Sequence, residues 1–178
     1  MTDTFITVGR DRKSCLLIDN LCLFRQVKHL DAKLFDLEVL VNFLTGPQVN
    51  SSVIHKELFF CYPQSRMQRD KLQYWAMSNG WESYETRLPI ADGKEHRLSN
   101  VSYLNEKIAR CIISNNIEHI WLISNDLGIE QMLKFAREKG ISVSLIHFDQ
   151  DDFTPFASLA ANVDELISPL EIPELVKF

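Results

Sequence analysis

Five short apolar runs, separated by stretches whose apolar residues recur every three or four positions, decide what this chain can become. Residues 13–19, 55–61, 81–87, 119–124 and 141–148 read as strands. Between them, Leu34, Leu37, Val41 and Leu44 mark a helix that Gly46-Pro47 stops, and residues 67–79 form another with Leu72, Trp75 and Ala76 inward. Val101, Leu104, Ile108, Cys111 and Ile112 mark a third, and Ile129, Met132, Leu133 and Ala136 a fourth. Leu159, Val163, Leu166 and Ile167 mark a last helix before Pro169, while Gly80 and Gly140 sit where C-terminal caps belong. Strands that alternate with helices over short connections build a parallel sheet covered on both faces. The expectation is therefore one three-layer, Rossmann-like α/β domain over residues 1–178. Its five parallel strands should lie in the order 3-2-1-4-5, the arrangement that brings the ends of strands one and four together where strand order reverses.

A chain of 178 residues with 46% hydrophobic and 24% charged residues has the composition of an ordinary globular protein. Its apolar stretches fall far short of the roughly 20 residues a membrane helix needs, and Met1 to Phe5 lacks the basic and apolar regions of a signal peptide. Cys15, Cys22, Cys61 and Cys111 are widely spaced, without the close pairs of zinc or redox motifs, so a reducing cytoplasm is expected. A net charge of −5 argues against a general nucleic-acid coating protein, though a local basic strip beside an acidic site would still suit a nuclease. The six glycines form no phosphate-cradling cluster, and no Gly-x-Ser-x-Gly elbow occurs. Dinucleotide enzymes, P-loop NTPases and α/β-hydrolases are excluded on that ground. A phospho-receiver is excluded too, because the third run does not end in an aspartate.

Leu16-Leu17-Ile18-Asp19 closes the first run, and Trp121-Leu122-Ile123-Ser124-Asn125-Asp126 closes the fourth. In the expected topology Asp19 and Asp126 share one crevice, where a pair of carboxylates can hold a divalent cation against a phosphate. Taken singly, each aspartate is better read as a turn or helix cap. Asp149, after the fifth strand, is a further metal-ligand candidate on the same sheet edge. Arg66, Lys94 and Arg97 fall in loops on that edge, where phosphates would lie. Tyr62, Tyr84 and Trp81 read either as stacking surfaces for unpaired bases or as edge packing.

The chain resembles the NYN domain family, a PIN-like branch of metal-dependent ribonucleases. The likeness lies in the first strand into Asp19, in Arg97-Leu98-Ser99-Asn100-Val101 and in Leu122-Ile123-Ser124-Asn125-Asp126. It also lies in Lys134-Phe135-Ala136-Arg137-Glu138-Lys139-Gly140 and in residues 158–167. Family members carry an asparagine three residues after the first aspartate, a lysine shortly before an aspartate at the middle helix, and a Ser-Gly-Asp-Gly-Asp run after the fourth strand. Here Cys22 stands for that asparagine, Arg97 for the lysine, Asn100 for the middle aspartate and Gly128 for the last. The resemblance implies a PIN-like fold engaging single-stranded RNA. It implies an endoribonuclease in which Asp19 and Asp126 hold Mg²⁺ or Mn²⁺, Asn100 and Ser124 orient the water shell, and Arg97 offsets phosphate charge. The altered positions imply weakened or residual hydrolysis. The alternative is a catalytically silent module that binds RNA or a protein partner, itself or as a homo-oligomer.

Overall fold

The computed structural model describes residues 12–29, 34–46, 49, 51–61, 66–86, 100–147 and 154–178. The first half carries β1 (Arg12–Asp19), α1 (Asn20–His29), β2 (Leu34–Phe35), α2 (Leu37–Leu44), β3 (Ser51–Cys61), α3 (Arg66–Ser78) and β4 (Glu82–Thr86). The second carries α4 (Val101–Ser114), β5 (His119–Ile123), a 3-10 turn (Leu127–Ile129), α5 (Glu130–Glu138), β6 (Ser142–Ile146), α6 (Thr154–Ala160), β7 (Glu165–Ile167) and β8 (Val176–Lys177). Six strands form one sheet in the order β4-β3-β1-β5-β6-β7, every pair parallel. β2 and β8 make a separate antiparallel pair. The fold is α/β with helices on both faces of a parallel sheet, and its first five strands stand in the expected order.

β1 sits at the centre, and its residues alternate between two cores. Cys15 and Leu17 pack with Leu104, Ile108, Leu133, Ala136 and Leu159, which belong to α4, α5 and α6. Leu16 and Ile18 pack with Leu23, Leu40, Leu44 and Ala76 of α1, α2 and α3. A strand buried on both faces needs a continuous apolar run, and this one is buried from Ser14 to Asp19. The period of two also aims Asp19 at the same side as Cys15 and Leu17, the side of α4. Gly80 and Gly140 take the left-handed conformation that ends α3 and α5, at φ of +71° and +83°.

Two stretches depart from expectation. The last helix ends at Ala160, and Leu166 and Ile167 belong to a sixth strand paired with Leu145 and Ile146. Asp164 turns the chain onto that edge: its N–H donates to the Val143 carbonyl at 2.8 Å, and its Oδ2 accepts the Val143 N–H at 2.8 Å. Apolar spacing alone does not separate one more helical turn from a turn leading into a short strand. A helix also follows Asp19 at once, with the polar Gln26 on its buried side beside Cys22 and Leu23. Leu34, expected to open the next helix, lies in β2 instead. α2 starts after Asp36, whose carboxylate accepts the N–H groups of Glu38 and Val39 at 3.0 and 3.2 Å. Among the described residues, no helix is long and apolar enough to cross a membrane.

Candidate functional site

Strand order reverses between β1 and β5, and ligands of open α/β sheets bind at such a point beyond the carboxyl ends. Ile18 pairs with Ile123, so Asp19 and Ser124 leave the sheet side by side. The side chains of both are buried, at 4% and 1% exposure. Asn100, immediately before α4, is fully buried and donates its Nδ2 to Asp19 Oδ1 at 2.6 Å. The same nitrogen donates to the Phe59 carbonyl at 3.3 Å. A carbonyl only accepts, so that second bond fixes which end of the amide faces Asp19. The N–H groups of Leu21 and Cys22 also donate to Asp19 Oδ1, at 3.0 and 3.5 Å, so Asp19 caps α1 as well as joining the crevice.

Asp126 reaches the same place from β5. Its N–H donates to Ser124 Oγ at 3.2 Å, and its Oδ1 accepts the Gly128 N–H at 3.0 Å, capping the 3-10 turn. That turn is docked on α4 by Asn105, which donates to the Gly128 carbonyl at 3.1 Å. Burial is the main cause that pushes the Asp19 carboxyl above its ordinary value, and the Asp126 charge adds to it. Hydrogen bonds from Asn100, Cys22 and Leu21 work in the opposite direction. The structure thus brings Asp19, Asn100, Ser124 and Asp126 together around the start of α4.

The Cys22 side chain is occupied within α1. Its sulfur accepts from Gln26 at 3.2 Å, and burial followed by the Asp19 charge pushes its thiol far up. A side chain at Gly128 would crowd α4, because a Cβ there would lie 2.8 and 3.0 Å from the two methyl groups of Val101. Its φ is not among the left-handed glycine values, so crowding rather than backbone strain opposes a side chain. Among the described residues, no group of three or more His, Cys, Asp or Glu side chains is arranged to hold a metal ion.

Lys94, Arg97, Asp149 and Tyr62 lie outside the described residues, as does the side chain of Arg66, whose backbone opens α3. Trp81 and Tyr84 take the packing role. Trp81 is 4% exposed against Trp75 and Lys56, and Tyr84 stacks on Phe59 with ring centroids 5.5 Å apart. Glu106 pairs with Arg110 on the outer side of α4, away from the crevice. A buried ion pair that no sequence motif marks joins Glu57 to Lys107, 3.1 Å apart, with the Tyr84 hydroxyl beside it. Its trace in the sequence is a lysine at a core spacing, three residues after Leu104 and four before Cys111.

The sequence matches no family model and no curated protein. A solved structure of a protein of unknown function from Vibrio parahaemolyticus is similar with a TM-score of 0.73. The match covers 94% of this chain and 98% of that chain at 10% identity. At that identity the likeness is one of fold.

Proposed function

We propose that this chain is an NYN-like domain that engages single-stranded RNA along the carboxyl edge of its sheet without hydrolysing it efficiently. The observation that carries this reading is the Asn100 amide, whose Nδ2 stands 2.6 Å from Asp19 Oδ1 and is anchored by the Phe59 carbonyl. A donor occupies the side of Asp19 from which a family carboxylate would join it in holding Mg²⁺ or Mn²⁺. With Gly128 crowded by Val101, the donor set does not fit a resident catalytic cation. RNA as the ligand comes from the family resemblance and from the basic residues Arg66, Lys94 and Arg97, which the sequence places after the second strand-like run and before the middle helix. A cytoplasmic setting, which keeps thiols reduced, belongs to the same proposal and agrees with the free thiols of Cys15, Cys22 and Cys111.

One observation favours a second reading, residual metal-dependent endoribonuclease activity. After burial, the Asp126 charge adds to the upward push on Asp19, and a divalent cation bound at Asp19 would relieve that push. Fluorescence anisotropy with labelled single-stranded RNA, run in EDTA and in Mn²⁺ with gels of the same samples, separates the two. The expected result is binding in EDTA that weakens with salt and yields no metal-dependent fragments. Cleavage that needs Mn²⁺ and vanishes in Asp126→Asn would establish the second reading. No binding under either condition would refute both.

A further inference from the structure

At the amino end of the sheet, opposite the Asp19 crevice, a cavity of about 360 Å³ lies between the first residues of β1, β3 and β5 and the edge strand β7. A volume of that size suits a small molecule. Arg12 supplies it with a guanidinium, while Glu165 of β7 and Glu171, the last residue of a 3-10 turn at Pro169–Glu171, supply two carboxylates. All three residues are exposed. His119 and Trp121 also line the cavity and are 5% and 3% exposed. Ser144 Oγ gives its single proton to Glu165 Oε2 at 2.9 Å, so its 3.0 Å bond with His119 Nε2 takes the imidazole N–H. Burial and Arg12 keep His119 neutral, its value lowered to about 4. Its Nδ1 is therefore an acceptor. Trp121 Nε1–H is a buried donor with no hydrogen-bond partner among the described residues, which is unfavourable until an acceptor reaches it.

We propose that this cavity binds a free α-amino acid with an apolar side chain. The ammonium has three protons to donate, and Glu165, Glu171 and His119 Nδ1 are three acceptors. The carboxylate accepts from Arg12 and from the Trp121 indole. The side chain rests on Phe43 and Val49, the half-buried apolar residues of the wall. Other ligand classes meet fewer of these groups. A simple amine leaves Arg12 and Trp121 without an acceptor. A phosphate or nucleotide sets its negative charge against Glu165 and Glu171, which outnumber Arg12. A nucleobase finds no free ring to stack on, because His119 and Trp121 lie against each other with centroids 4.0 Å apart and are almost fully buried. β1 runs from this cavity at Arg12 to the crevice at Asp19, so the two sites are separate and the proposal does not depend on the RNA reading.

Calorimetric titration of the wild-type protein with free leucine, phenylalanine and methionine tests this. Isoamylamine, which is leucine without its carboxylate, and isocaproate, which lacks the ammonium, are titrated beside them. At least one of the three amino acids should bind, and each leucine fragment should bind about tenfold more weakly than leucine, the effect of losing charge-assisted hydrogen bonds. Arg12→Gln and Glu171→Gln change exposed residues, and each should weaken amino-acid binding by about tenfold while leaving the thermal melt in place. Of the three tryptophan indole N–H resonances, one should move downfield with the amino acid and stay in place with isoamylamine. No heat from any of the three amino acids up to about 10 mM would overturn the proposal. So would isoamylamine binding as tightly as leucine, three stationary indole signals, or binding that both substitutions leave unchanged. Should either variant melt early, the fragment comparison, which needs no substitution, decides alone.

Discussion

Asn100→Asp turns the central feature of the crevice into a measurement. The two residues are matched in shape, and the Asn100 side chain caps no helix end, so the change swaps a donor for an acceptor and little else. Removing the donor costs about 2 kcal/mol for a hydrogen bond to a charged acceptor and about 1 kcal/mol for the orphaned Phe59 carbonyl. Two ionised carboxylates at the 2.6 Å that now separates Nδ2 from Oδ1 would repel by about 6 kcal/mol at an effective dielectric near 20. The pair sheds most of that by sharing a proton, leaving a total cost of about 5 kcal/mol at neutral pH. Asn100→Ala, which loses the donor without adding charge, should cost about 3 kcal/mol. Urea denaturation of both variants in EDTA and in Mn²⁺ reads the difference. Asn100→Asp should regain about 2.7 kcal/mol when Mn²⁺ stands at a hundredfold its dissociation constant, while Asn100→Ala gains nothing. The sign with pH follows from the raised Asp19 carboxyl. Its contribution is complete below the unfolded value and is lost as pH climbs through the folded one, more steeply in Asn100→Asp. Equal stability of the two variants at neutral pH, or an Asn100→Asp protein that gains stability as pH rises, would refute the reasoning.

Gly128→Asp should lower stability by about 1–3 kcal/mol through contact with Val101, and adding Val101→Ala should recover most of it in thermal melts. His119 is held neutral, its value lowered from 6.5 to about 4 by burial and by Arg12, so its contribution is complete above pH 6.5 and lost as pH falls through 4. At about 1.4 kcal/mol per pH unit the loss comes to about 3 kcal/mol, and His119→Asn should flatten that part of the stability curve measured by urea titration. Lys107→Met should cost about 3–5 kcal/mol by stranding Glu57, while adding Glu57→Gln should restore most of it in a double-mutant cycle.

The fold was legible because burial on both faces of a parallel strand leaves a mark that periodicity finds. β1, β3, β5 and β6 are apolar runs with helical stretches between, and their order is the one that brings the ends of β1 and β5 together where strand order reverses. Short elements escaped for the same physical reason. Glu165–Ile167 has three residues, too few for a period, and its pairing is set by the Asp164 turn on Val143 rather than by its own composition. α1 escaped because Gln26 is buried, its Nε2 bonded to Cys22 and His147 at 3.2 Å each, so its inner face does not read as apolar.

The candidate site was half legible, and the missing half is the more instructive. Strand ends announce Asp19 and Asp126, because a carboxylate after an apolar run can serve either as cap or as ligand. The structure gives each of them the cap role, through Leu21 and Cys22 for one and Gly128 for the other. What no spacing could reveal is that Asn100, 81 residues from Asp19, turns its amide nitrogen toward that carboxylate. An asparagine offers both a donor and an acceptor, and only the Phe59 carbonyl, on a third strand, decides which one faces inward. A side chain's chemistry is set by the neighbour that tertiary packing brings to it. The distant pair of Asp19 with Asn100 is therefore where this chain's function has to be tested.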